Sequence, residues 1–179
     1  MELVQVVMNK VEGVAVLSGE LDAQVGQMVT ACTQDFPDWI RVVIWVGRLM
    51  DGSEPTDTTI RLNRVLSYRG GGVVADYYTG LGTAPMYRRI DELTQDVDWT
   101  QCGIVADRNG ARQVQLVKDE PRRQVEGSAT DPYWHQVDDY LELNRKEVDA
   151  LVERLRASGD LPGEKKSRRG ILGLLSGGA

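Results

Sequence analysis

Leu21, Val25, Met28, Val29, Cys32 and Phe36 recur at the spacing of one helix face. Pro37, within Phe36-Pro37-Asp38-Trp39, then breaks that period, and the branched, apolar run from Ile40 to Val46 follows at once. An amphipathic helix therefore runs straight into a buried strand. Ser18 is placed to cap that helix, and Glu20 and Asp22 put negative charge on its first turn, where the helix dipole favours it. The pattern predicts a helix from about residue 19 to about residue 35.

Residues 40–50 are rich in branched side chains and contain Trp45, and Asp51-Gly52-Ser53-Glu54-Pro55 is a turn signal, so this strand should lie centrally in a sheet. In residues 58–68, Thr59, Arg61, Asn63 and Val65 alternate with Ile60, Leu62, Arg64 and Leu66, the pattern of a half-buried strand. Gly70-Gly71-Gly72 makes the next turn and residues 73–78 a further short strand. Pro85 suits the first position of a helix whose Met86, Ile90, Leu93 and Val97 keep one buried face. Residues 99–107, Asn109-Gly110 and residues 112–118 form a hairpin, with Asn-Gly supplying the positive dihedrals of a tight primed turn. Asp131-Pro132 starts a long helix striped by Trp134, Val137, Leu141, Val148, Leu151, Val152 and Leu155 and stopped by Gly159 and Pro162. Residues 3–17 read either as a hairpin or as a short helix followed by a strand.

These elements predict an α+β fold, a mainly antiparallel sheet of about four to six strands packed against three amphipathic helices. At 179 residues the chain suits a single domain over residues 1–163, followed by a basic, glycine-rich tail at 164–179. That tail pairs Lys165, Lys166, Arg168 and Arg169 with a short apolar piece, residues 171–175, which could touch a lipid or a partner but is too short to span a membrane. Cys32 and Cys102 fall on apolar faces and read as buried free thiols. The first residues lack the basic start and long apolar core of a signal peptide, and no apolar run has the length of a membrane span, so a cytoplasmic protein is expected.

The formal charge of −6 hides an asymmetry: the tail carries +3 and residues 1–163 carry −9. Such a body is repelled by nucleic acid and by anionic lipid and attracts basic proteins. Asp91, Glu92 and Asp96 gather on the middle helix, and Asp138, Asp139 and Glu142 near the start of the last, beside Tyr87 and Tyr140. Carboxylates steer a basic partner, and aromatic anchors slow its release. These eight residues are the expected partner contacts.

Catalytic chemistry has weaker support. His135, the only histidine, has Asp138 and Asp139 three and four residues on, but no second cluster supplies further metal ligands. Gly80-Leu81-Gly82-Thr83 precedes a helix as a phosphate loop would, yet Pro85 stands where the third glycine of a dinucleotide fingerprint belongs, and no Gly-Lys-Ser/Thr follows. No Gly-x-Ser-x-Gly occurs. No catalytic residue, cofactor or metal is expected.

An amphipathic helix, Pro37-Asp38-Trp39 and a strand, an Asp51-Gly52 turn, a later helix, Trp99 opening a strand, and Asn109-Gly110 with its paired strand follow one another over residues 21–155. That order resembles the YezG-like immunity proteins. The resemblance implies an α+β antitoxin of a polymorphic toxin system, which binds and neutralises a secreted toxin domain, often a nuclease, inside the cell that makes it. It implies no catalytic residues. The chain departs from the family in the short stretch between Tyr68 and Trp99, the additional residues 3–17, the basic tail and Phe36 as its one phenylalanine. The expected function is thus a cytoplasmic immunity protein that covers a toxin's active site with an acidic surface. A chaperone for a secreted protein is the alternative, and a small enzyme using His135 the second.

Overall fold

The computed structural model describes residues 19–51, 54–78, 83–118, 123–124 and 139–164. Helix α1 (Gly19–Thr33) is followed by strands β1 (Trp39–Asp51), β2 (Glu54–Arg69) and β3 (Gly72–Asp76), helix α2 (Ala84–Leu93), and strands β4 (Gln101–Asp107), β5 (Arg112–Val117) and β6 (Arg123–Gln124). Helices α3 (Tyr140–Leu143) and α4 (Arg145–Ser158) complete the order. The expectations for residues 1–17, the turn at 52–53, residues 80–82, His135, Asp138 and the tail from residue 165 onward lie outside the described residues.

The fold is α+β. Five antiparallel strands lie in the order β3-β2-β1-β4-β5, with β1 central as its apolar run requires. Strand β4 partners β1 as far as Gly47, and the two-residue β6 pairs with it in parallel at Leu49 and Met50. Helices cover both faces. On one, Val42, Ile44 and Val46 of β1 join Cys102, Ile104 and Ala106 of β4 beneath Leu21, Val25, Met28, Val29 and Cys32 of α1 and Ile90 of α2. On the other, Ile40, Val43 and Leu66 pack under Tyr140, Val148, Leu151, Val152 and Leu155. Trp99 belongs to the first core, while Trp45 packs against the second.

This second layer corrects the half-buried reading of β2: Val65 enters one core, Leu66 the other, and Ser67 is also buried. A polar alternate face marks a strand with one wet side, but here Asn63 of that face meets α2, its Oδ1 accepting from Tyr87 Oη.

Turn chemistry follows the glycines. Gly70 and Gly71 both have positive φ, 58° and 84°, between the paired residues Arg69 and Gly72, which is the two-residue primed hairpin. The Asn109-Gly110 turn is different from the expected primed pair. Gly110 N–H donates to Asp107 O at 2.9 Å and Asp107 N–H to Ala111 O at 2.8 Å. That is a three-residue loop closed by a glycine bulge at Gly110, φ 92°. Arg108 in that loop is drawn back to the start of β1: its N–H donates to Ile40 O at 2.9 Å, and its guanidinium to Pro37 O and Trp39 O.

The last helix is not continuous where it is described. Asn144, at φ −111°, separates α3 from α4, and its Nδ2 donates to Tyr140 O at 2.9 Å. Helix α4 ends on Gly159 in the left-handed region, φ 76°, with Gly159 N–H bonded to Arg156 O and Asp160 N–H to Leu155 O. Among the described residues, no helix is long and apolar enough to cross a membrane.

Candidate partner-binding site

Two neighbouring rows of the sheet build a depression on the α3–α4 side. Val43, Val105 and Gln113 form one row across β1, β4 and β5, and Trp45, Gly103 and Gln115 form the next. Gly103 contributes no side chain between Trp45 and Gln115. A Cβ there would meet only Trp45 Nε1, at 3.9 Å. Tyr140, Leu143, Asn144 and Glu147 wall the resulting groove of about 400 Å³. The break at Asn144 sets this wall, and it leaves Leu143 70% exposed at the rim. A half-buried tryptophan, branched side chains, three amides and a carboxylate suit a peptide-like ligand, apolar in the body and polar at fixed points.

Beneath the wall lies the residue set that sequence reasoning missed. Arg41 of β1 stands directly opposite Asp107 of β4. Its Nε donates to Asp107 Oδ1 at 2.6 Å and its Nη2 to Oδ2 at 2.9 Å, a bidentate pair. Its Nη1 donates to Tyr140 Oη at 2.9 Å and to Glu147 Oε1 at 2.6 Å. Burial alone would lower the guanidinium pKa, but the bond to Asp107 and the surrounding negative charge outweigh it, so the pKa stands above its ordinary value. One guanidinium thus ties β1, β4, α3 and α4 together and sets the angle of the groove wall. The available signal was Arg41 itself, the one charge inside the otherwise apolar run from Ile40 to Val46 of the central strand, which demands a buried partner.

The structure separates the eight expected contacts. Tyr87 and Tyr140 are corrected from surface anchors to core residues, 4% and 6% exposed. Tyr87 lies one helical step from Ile90, and the buried face of α2 is wider than the Met86-Ile90-Leu93 stripe. Its hydroxyl donates to Asn63 Oδ1 at 2.6 Å, and burial raises its pKa. Tyr140 is in phase with Val148, Leu151 and Leu155, and its ring meets Trp45 edge-on at a centroid distance of 5.6 Å.

Helix α2 ends at Leu93, so Asp96, expected on it, lies beyond its C-terminus; the two acids α2 does carry are exposed, but both are tied to the protein's own cations. Asp91 pairs with Arg48 at 3.2 Å, and Glu92 with Arg89 at 3.0 Å. Arg89 also holds Glu20 of α1 at 2.6 Å, and Lys118 holds Asp98 at 3.1 Å. Asp96 is exposed. Asp139, the N-cap position of α3, and Glu142 on it are exposed too, and among the described residues neither forms an ion pair. In sequence they flank the groove-wall residues Tyr140 and Leu143, while Asp91 and Glu92 lie on α2, over the opposite face of the sheet.

Cys32 and Cys102 are buried free thiols in the α1–α2 core, and burial pushes both up to about 12. Such thiols are poor nucleophiles and poor metal ligands. Among the described residues no group of acids, cysteines and histidine is placed to hold a metal ion. Compared with known proteins, the chain matches no family model and no curated relative.

Proposed function

We propose that this chain is an interaction protein of the immunity type, which binds a basic toxin domain and covers its active site inside the cell that makes it. The observation that carries this reading is an open groove whose wall residues Tyr140, Leu143 and Asn144 adjoin in sequence two exposed acids, Asp139 and Glu142, that form no ion pair among the described residues. Unpaired surface carboxylates are free to take a partner's lysines or arginines, whereas Asp91 and Glu92 would first have to release Arg48 and Arg89. The contact surface therefore centres on α3 and the groove, with α2 outside it. Inhibition by coverage needs complementarity over about 1,600 Å² and no chemistry.

The groove also favours a second reading, a secretion chaperone that holds an extended client segment. The two part company on what is bound: an immunity protein captures a folded domain and abolishes its activity, and a chaperone captures unfolded chain.

The test is affinity capture from native cell extract at low and high salt, with the native chain beside Asp139→Lys/Glu142→Lys. Immunity predicts one basic domain retained stoichiometrically, released by salt, and lost by at least about 2 kcal/mol in the charge-reversed variant. Unchanged capture by that variant removes α3 from the interface. Several exported proteins in place of one would favour the chaperone.

A further inference from the structure

Over the floor of the groove stands a hydrogen-bond donor that no described residue answers. Gly103 leaves the sheet bare between Trp45 and Gln115, and the atom nearest to where its Cβ would stand is Trp45 Nε1, at 3.9 Å. That N–H makes no hydrogen bond among the described residues. Nor is it sealed from water, because the buried side-chain atoms left without a partner there are Ser67 Oγ and Gln101 Nε2. The indole thus offers its one donor to the space above Gly103.

The rest of the lining narrows what can answer it. Gln113 and Gln115 bring side-chain amides that bond to no described residue, and Asn144 gives Nδ2 to Tyr140 O at 2.9 Å and keeps Oδ1 as an acceptor. Glu147, the one charged side chain in the lining, already accepts from Arg41 at 2.6 Å, so the groove matches an uncharged group. Trp45 and Gln115 lie two strands apart, about 9.6 Å between Cα atoms. One ring with contacts of about 3.5–4.0 Å on each side fills about 7–8 Å of that width.

An aliphatic side chain would cover Val43, Val105 and Leu143 but leave the indole N–H unpaired. Asparagine or glutamine would pair it and leave the apolar wall bare, and tryptophan would bring a second donor where an acceptor is needed. Tyrosine combines an uncharged ring with a tip that both accepts and donates.

We propose that the groove seats one tyrosine side chain of the partner protein, its ring between Trp45 and Gln115 above Gly103, its hydroxyl accepting from Trp45 Nε1–H and donating to the Gln115 amide oxygen. This rests on the protein partner of the preceding subsection and supplies the buried aromatic anchor of that interface. Because the probe is a small molecule, the seat is tested apart from the partner.

The probe is N-acetyl-tyrosinamide, titrated into the isotopically labelled full chain to about 20 mM, above the millimolar dissociation constant that a ligand of this size allows. The Trp45 Nε1–H and Gly103 amide resonances should shift together and saturate. N-acetyl-phenylalaninamide should bind about three- to tenfold more weakly for want of one hydrogen bond, and Trp45→Phe should erase that difference. N-acetyl-lysinamide should move neither resonance. Absence of a saturating shift with the tyrosine probe overturns the seat and leaves the acid-steered partner standing, since Asp139→Lys/Glu142→Lys tests that by itself. Equal binding of the phenylalanine or lysine probe overturns the role of the hydroxyl or the uncharged occupant, and tighter binding of N-acetyl-glutaminamide assigns the groove to an amide and overturns tyrosine. A Trp45 shift that grows with protein concentration alone assigns the groove to a second copy of the chain and likewise overturns the proposal.

Discussion

Replacing Asp107 with alanine should cost this fold about 3–5 kcal/mol. Arg41 is 2% exposed and Asp107 8%, so the pair is shielded from water on both sides. The substitution deletes two charge-assisted bonds, at 2.6 and 2.9 Å, each worth roughly 1.5–3 kcal/mol, and strands a guanidinium that cannot shed its proton. Tyr140 and Glu147 stay within reach, but the Glu147 side chain is 58% exposed and its charge is screened. It compensates for only part of the loss. Equilibrium urea unfolding followed by tryptophan fluorescence measures the cost as a lower midpoint at unchanged slope. The companion variant Arg41→Met/Asp107→Leu removes both charges and keeps apolar volume, and should recover most of the stability. A loss below about 1 kcal/mol for Asp107→Ala, or a double variant no better than the single one, would refute the idea that stranded charge sets the cost.

Gly103→Val should leave stability within about 1 kcal/mol, because the new Cβ meets only Trp45 at an ordinary 3.9 Å and valine suits a strand, yet it fills the floor of the groove and should abolish partner capture. Retained capture would place the interface elsewhere. The two thiols make stability fall in alkali: unfolded cysteine ionises near about 8.5 and the folded thiols near about 12, so stability is full below the unfolded value and is lost as pH rises, by up to about 1.4 kcal/mol per pH unit for each thiol. Urea midpoints under reducing conditions, measured from neutral pH upward, should fall more steeply for the native chain than for Cys32→Ala/Cys102→Ala, and parallel curves would contradict this. Ser67 Oγ is buried without a hydrogen-bond partner among the described residues, so Ser67→Ala should be neutral or stabilising by up to about 1 kcal/mol in the same unfolding assay. A clear destabilisation would show that the hydroxyl is satisfied.

The local elements were legible because their signals are local. Helix α1 and strand β1 stand where the Leu21 to Cys32 period and the branched run after Pro37 put them. The glycine-rich turn before β3 and the Gly159 stop are equally matters of one residue's dihedral freedom. The candidate site was legible only in outline. Asp139 and Glu142 read as exposed acids and are exposed, whereas adjacency in sequence placed Tyr87 and Tyr140 beside those acids on the surface, and helix geometry turned both rings inward.

By itself, then, the sequence determined the type and order of the elements, the buried face of α1 and of α4, and that the body is acidic, since period, turn chemistry and charge need no knowledge of distant chain. Only the tertiary structure decided that β4 returns beside β1, so that Gly103 falls opposite Trp45 and opens a groove. The same return let Arg41 find Asp107, 66 residues on, and Glu147, 106 residues on. It also decided which of the described carboxylates are paired with the protein's own arginines. Those outcomes depend on pairing across the sheet, and a period of two or of 3.6 residues says which way a side chain points but not what it will meet.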